Sequence, residues 1–340
     1  MAAVAGELDR RGATSGAVQH SRGQWLVRVP VSYFGMVLGL EGLAGSWREA
    51  HAAWGGPSVI GEGLFALAAV VWLALTGLYL AKWIWRFGEA LSECADPLRG
   101  SFIGLGGVAT LLLAQGALPY SREVAVVLFF AGGTFSLGFG IWRSGPLWQG
   151  QRPVEVTTPL LYLPIVASGF VIAATAGALG WHAWAALAFG GAFFSWLALE
   201  SVVLHRLLEA ATLPPEVRPV LGILLAPPAV GALAALAGGA NPAGPLVLGL
   251  AGYGLLQAML LLRMWWWIAK QPFAPSYWAI TFGATALPNT VTRLAMASPG
   301  HELAGLGFAL FVASNLLVGV IGFKTIMLFL RPRHSPEPAA

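Results

Sequence analysis

The 340-residue sequence is poor in charge and almost free of cysteine. Only 10% of its residues are Asp, Glu, Lys or Arg, against about 25% in an average soluble domain. Charge this sparse cannot cover a globular surface of this size, which excludes a soluble domain. Cys94 is the only cysteine, so neither an intrachain disulfide nor a cysteine-built metal site can form. Enzyme signatures are missing as well: there is no HExxH, GxSxG, Walker loop or DxxD cluster. The six histidines sit at segment ends or in the tails without ligand spacing, so no catalytic residue, metal or cofactor is expected. The net charge of +4 is not a nucleic-acid signal, because the basic residues mark the ends of apolar segments. Residues 1–24 lack the apolar core of a signal peptide, and the tails 1–27 and 331–340 read as disordered.

What is abundant is apolar: 57% hydrophobic residues, with 15 Trp and 18 Phe. Several runs reach roughly 18 residues, the length that crosses about 30 Å of hydrocarbon. The pattern predicts an all-α polytopic membrane protein with a transmembrane domain over 28–330. Ten spans are expected, at roughly 30–48, 59–84, 99–118, 122–142, 157–179, 182–205, 217–237, 244–265, 275–296 and 303–329. All Lys and Arg except Arg48, Arg122 and Arg293 fall in the tails, the four longer links or the helix ends beside them. Positive residues stay in the cytoplasm, so both termini are predicted there.

The spans repeat. Even spans end at Arg86, Arg143, Arg206, Arg263 and Lys324, and odd spans begin near Pro30, Pro97, Pro159, Pro219 and Pro275. A period of about 60 residues is one helical hairpin with its connector, and five hairpins entering from one side can close into a ring. Pro164, Pro227, Pro228 and Pro288 lie inside odd spans, where a proline kinks the helix. Such breaks suit helices around a central pore, with the smoother even spans outside. Gly35, Gly39, Gly42 and Gly45 recur at helical spacing in the first span, a face for close packing or for an open lumen.

In the ninth span Trp278, Phe282, Thr285, Asn289 and Arg293 fall on one stripe less than a quarter-turn wide at about 100° per residue. Asn and Arg beside a large aromatic suit a wall facing water, so this stripe reads as pore lining, with Phe282 as its plug. Arg48 and Arg293 lie near the same end of their spans, as an outer vestibule or as residues snorkelling to the interface. Glu41, near the middle of the first span, reads as a structural or subunit contact, or as a coupling group for transport. Glu200 stands near His205 and Arg206, which suggests a local ion pair.

The stretches VSYFGMVLGL, TTPLLYLP, FFSWLALESVVLHRL, GYGLLQAMLLLR and QPFAPSYWAITFG, spread in order over residues 28 to 330, resemble the family of the tellurite-resistance protein TehA, which includes plant slow-type anion channels and yeast dicarboxylate carriers. The resemblance implies five hairpins with odd helices inside, a homotrimer with one pore per subunit in the bacterial inner membrane, and small anions such as chloride or nitrate as permeants. It also implies a gate at the phenylalanine of a W-x-x-S/T-F pattern, here Phe282, and makes Phe34 and Phe102 further pore-lining candidates. Glu41 departs from the neutral residue expected at its position. The expected function is a passive anion channel, linked by the resemblance to tellurite resistance. The alternative is a proton-coupled exporter of C4-dicarboxylates or of tellurite-related anions.

Overall fold

Between the prolines that open the odd spans and the glycines that close them, the chain has little choice but helix. The computed structural model describes residues 30–150, 153–297 and 302–330, and all regular structure among them is helical. The tails at 1–27 and 331–340 lie outside the described residues. The helices are α1 (Phe34–Trp54), α2 (Ser58–Trp85), α3 (Phe87–Ala95), α4 (Gly104–Ala117), α5 (Arg122–Ser144), α6 (Ser168–Ala178), α7 (His182–Glu209), α8 (Ala226–Ala237), α9 (Pro245–Ile268), α10 (Trp278–Ala297) and α11 (Ala304–Leu330).

Five of them, α1, α4, α6, α8 and α10, pack in that order as a closed inner ring, each against the next and α10 back against α1. The helices α2, α5, α7, α9 and α11 form an outer layer, each packed against its own hairpin partner. Burial separates the layers. In the spans that contain α4, α6 and α8, 78% to 83% of the most apolar window is buried, against 11% to 33% in the five outer helices. The outer faces carry exposed Leu, Val, Ile and Phe, as hydrocarbon demands. Eight helices are long and apolar enough to cross a membrane. The two inner helices outside that set are α1 and α10, which carry Glu41, Arg48 and Glu49, and Asn289 and Arg293. Their polar groups are tolerable because both helices sit within the ring.

Each inner helix starts irregularly at its proline end. Tighter turns lead into it at Val31–Tyr33, Arg99–Ile103, Pro159–Leu161, Pro215–Leu225 and Pro275–Tyr277, and a wide turn at Leu163–Ala167 holds Pro164. Polar side chains satisfy carbonyls near these breaks. Ser168 Oγ donates to the Leu163 carbonyl at 3.3 Å, and Thr290 Oγ1 to the Ala229 carbonyl at 3.0 Å. At the opposite end α1, α6 and α8 run into left-handed glycines, Gly55, Gly180 and Gly239. There the N–H groups of Gly56, Trp181 and Ala240 turn back to the carbonyls of Ala50, Ala176 and Ala235. One element was not anticipated: α3, within the link at 86–98. It is a short amphipathic helix with Ala90 buried and Phe87 and Leu91 exposed. The Lys82–Glu93 ion pair, 2.6 Å and nearly buried, fastens it to the end of α2.

The ring closes at the α1–α10 seam, where the glycine stripe of α1 meets a stripe of α10. Gly35 faces Trp278, Gly39 faces Thr281, Gly42 faces Thr285 and Gly45 faces Asn289. A methyl group on Gly39 or Gly42 would collide with the opposing threonine. Lipid is as apolar as leucine, so helices in a membrane associate through close packing and hydrogen bonds. Here Ser46 Oγ donates to the Thr285 carbonyl at 3.1 Å across the seam. Gly42→Ala is expected to cost about 1–3 kcal/mol through overpacking, read as a lower unfolding temperature in detergent. Adding Thr285→Gly, which moves the small residue to the other side of the seam, should recover most of the loss. A Gly42→Ala protein as stable as the parent would refute this account of the seam.

Candidate functional site

The ring encloses two cavities with one residue pair between them. Near the proline end lies a narrow apolar cavity of about 30 Å³, whose wall includes Gly35, Leu38, Phe102, Tyr162 and Trp278. Near the hairpin end lies a wider one of about 250 Å³, whose wall includes Glu41, Arg48, Gln115, Asn289 and Arg293. Phe282 and Val230 belong to the walls of both. Phe282 is 8% exposed. Its ring and the Val230 side chain therefore stand at the division between the two spaces.

The local sequence explains the position of Phe282. On α10 the residues at 282, 286, 289 and 293 follow one another at helical spacing and all line the wide cavity. The face toward α1 is rotated from this one by roughly 60° and carries 278, 281 and 285. The stripe read from the sequence straddles the two faces. Thr285 was expected in the pore lining, but it is fully buried against Gly42, and its hydroxyl is shared between the carbonyls of Thr281 (2.9 Å) and Phe282 (3.1 Å). Trp278 touches the narrow cavity, packs on Gly35 and donates Nε1 to Thr325 Oγ1 on α11 at 3.0 Å. Phe102 lines the narrow cavity. Phe34 lines neither cavity; it is buried and packs edge-on against Tyr79 of α2, with ring centroids 6.3 Å apart. Asn289 lines the wide cavity and reaches the Gly42 carbonyl through Nδ2 at 3.4 Å.

The two arginines do share the wide mouth, but neither is a free cation. Arg48 forms a two-pronged pair with Glu62 of α2, at 2.9 and 2.8 Å, and Tyr120 also donates to that carboxylate. This bond holds the Tyr120 phenol above its ordinary range. Arg293 pairs with Glu49 of α1 through Nε at 2.7 Å. The mouth is thus a set of neutralised pairs, and a purely positive vestibule is not what these side chains build.

Glu200 overturns the ion-pair expectation. It accepts hydrogen bonds from Tyr162 (2.6 Å), Trp196 (2.9 Å), Tyr253 (2.7 Å) and Gln257 (3.4 Å), and no ion pair to it is present among the described residues. The reason is helical rotation. His205 and Arg206 lie five and six residues on, about 140° and 240° round α7, whereas Trp196 is four residues back on the same face. The buried carboxylate instead joins α7 and α9 to Tyr162, which lines the narrow cavity. Val230 carried no sequence signal, being one small apolar residue among many in an apolar span.

Residues 28–326 match the family model described as voltage-dependent anion channel. The chain is 32% identical over 299 residues to the tellurite resistance protein TehA homolog of Haemophilus influenzae, covering 88% of this chain and 90% of that one. It is 26% identical over 325 residues to the guard cell S-type anion channel of Arabidopsis thaliana, covering 89% of this chain and 57% of the plant protein. A second S-type anion channel of that plant matches at 28% over 222 residues. A closed ring of inner helices sheathed by apolar outer ones, matched over nearly its whole described length, is a membrane protein, and the chain belongs to the voltage-dependent anion channel family.

Proposed function

We propose that this protein is a passive channel for small monovalent anions, chloride and nitrate among them, with Phe282 as its gate. One observation carries the reading: Phe282 stands in the wall of both axial cavities. In the proposed mechanism all ten long helices cross the bacterial inner membrane, and the proline end, where the basic residues gather, faces the cytoplasm with both termini. Rotating the Phe282 ring out of the axis joins the cavities, and ions pass without a tight binding site, as fast conduction requires. A homotrimer with one pore per subunit rests on the family resemblance read in the sequence, and a link to tellurite resistance on the similarity to the Haemophilus influenzae protein. The narrow cavity is apolar, so it offers a permeant ion no competing charge.

A second reading, a proton-coupled exporter of C4-dicarboxylates or tellurite-related anions, draws on Glu41, a carboxylate buried in the wall of the wide cavity. Electroneutral, pH-driven flux that Glu41→Gln abolishes would select it over the channel.

Phe282→Ala should raise anion conductance on the order of tenfold in planar bilayers, since removing the ring leaves only Val230 between the cavities. Currents equal to those of the parent would reject the gate. The paired mouth makes a further prediction. Glu49→Gln releases Arg293 from its partner, so anion conductance should rise by roughly 2–5-fold at low salt and the gain should fade at high salt. A gain that does not depend on salt would mean that the cation acts by contact or by structure rather than through its field.

A further inference from the structure

Between α5 and α7 the outer layer is open. Both helices pack on the inner span that holds α6, and neither packs closely on the other. They meet at the hairpin end, where Trp181, just before α7, touches the rings of Phe129 and Phe130 with centroids 5.3 and 5.9 Å apart. From that contact a groove of about 810 Å³ runs toward the proline end. Its floor is the inner span between Pro164 and Ala176, and its walls are α5 from Phe129 to Ile141 and α7 from Trp184 to Ser195. No charged side chain lines it among the described residues. Gly191 keeps it wide, since a side chain there would meet nothing within 4 Å. The stretch from Phe129 to Ile141 is about 18 Å long, slightly more than the roughly 15 Å of hydrocarbon in one leaflet.

A groove that opens sideways into hydrocarbon and offers water few partners is filled by acyl chain. One charged group stands over its hairpin end. Arg122 lies about two turns before Phe129 on the same face of α5. It is exposed, and its Nη2 donates to the Leu179 carbonyl at 2.8 Å, in the turn that leads to Trp181. That bond leaves the other N–H donors of the guanidinium without a partner among the described residues. Of the three arginines at this end, Arg48 and Arg293 are neutralised by Glu62 and Glu49, whereas Arg122 forms no ion pair among the described residues. Its neighbour Glu123 is held by Ser121 Oγ at 2.8 Å. We propose that the groove between α5 and α7 is a binding site for an anionic phospholipid, with one acyl chain in the groove and the phosphate on Arg122. The charge decides the headgroup. A zwitterionic lipid brings an ammonium of its own that competes for the phosphate, and an anionic one does not. The bound chain lies against Pro164, at the break in the inner span. The site is separate from the axial cavities and does not rest on the channel reading.

The test uses the full-length protein in phosphatidylcholine nanodiscs that carry a small fraction of a phospholipid with a photoactivatable group midway along one acyl chain. The probe headgroup is either phosphatidylglycerol or phosphatidylcholine, and the labelled peptides are read by mass spectrometry. Labels should concentrate on the groove, and the phosphatidylglycerol probe should label it about fivefold more than the phosphatidylcholine probe. Arg122→Gln should bring that ratio to about one while the groove is still labelled. Gly191→Phe fills the groove from a position with open space beside it, and should remove groove labelling by both probes without changing labels elsewhere. Gly133→Phe fills it from the α5 side and serves where the first variant does not fold. Labels spread evenly over the outer helices mean bulk lipid only and overturn the site. Equal labelling of the parent groove by both headgroups, or a ratio that Arg122→Gln leaves unmoved, overturns it as well. So does a groove that takes no label because a second copy of the chain covers it.

Discussion

The contact on which the rest of the structure depends is the seam between α1 and α10. A ring of five helices has five joints, and four of them lie between inner helices of successive hairpins. The fifth must bring together the first inner helix and the last, about 240 residues apart in the chain. Loop closure gives it no help, and in hydrocarbon there is no hydrophobic drive for apolar faces to associate. What remains is approach close enough for dispersion and short polar contacts to act together. Four glycines on α1 allow that approach, and the threonines and Asn289 of α10 fill the space they leave. Other joints use the same device: Gly177 lies against the backbone of Ala237, and Gly283 against Leu225 and Ala226.

The second constraint is charge. A bare charge in the bilayer is expensive, and the ionic groups, buried or at the mouth, show how the chain meets that cost. Lys82 is paired with Glu93, Arg48 with Glu62 and Arg293 with Glu49. Among the described residues Glu200 has no cation, but it has four donors, enough to occupy both oxygens of a carboxylate. Removing one partner from a buried pair such as Lys82–Glu93 generally costs about 3–5 kcal/mol, whereas the half-exposed pairs at the mouth are worth about 1 kcal/mol or less. Glu41 Oε1 and Arg206 Nε are the exceptions: both are buried without a hydrogen-bond partner among the described residues.

Much of this was legible in the sequence, for physical reasons that also explain the misses. A proline where each hairpin begins and a basic residue where it ends recur along the chain, so the hairpins and the division into inner and outer helices follow from residues such as Pro159 and Arg206. The glycine stripe of α1 read as a face for close packing or for an open lumen, and a stripe names no partner. That Gly42 meets Thr285 depends on two helices at opposite ends of the chain, which no local pattern encodes. The same ignorance put Thr285 in the pore lining, since a helical wheel resolves faces only to about the 60° that separates lumen from seam. Glu200 was assigned to its neighbours in the chain, whereas its partners Tyr162 and Tyr253 come from other helices. Val230 and Phe34 are unremarkable by type, and only the packing decides that the first borders both cavities and the second neither.

The seam also constrains how the candidate gate can move. Phe282 is flanked on α10 by Thr281 and Thr285, both fully buried and both set against glycines of α1. The Thr285 hydroxyl reaches the Phe282 carbonyl itself. On its other side Gly283 is pressed on Leu225 and Ala226, where a side chain would have no room. The backbone at 282 is therefore clamped between α1 and the start of α8. A motion that shifted it would have to pull both of these contacts open together. Rotation about the side-chain torsions breaks no hydrogen bond and opens neither seam. The narrow apolar cavity beside the ring gives such a rotation some room. An aromatic ring on an immobilised backbone is suited to gating because the barrier to opening is confined to one side chain, while the ring of helices that excludes lipid from the axis stays shut.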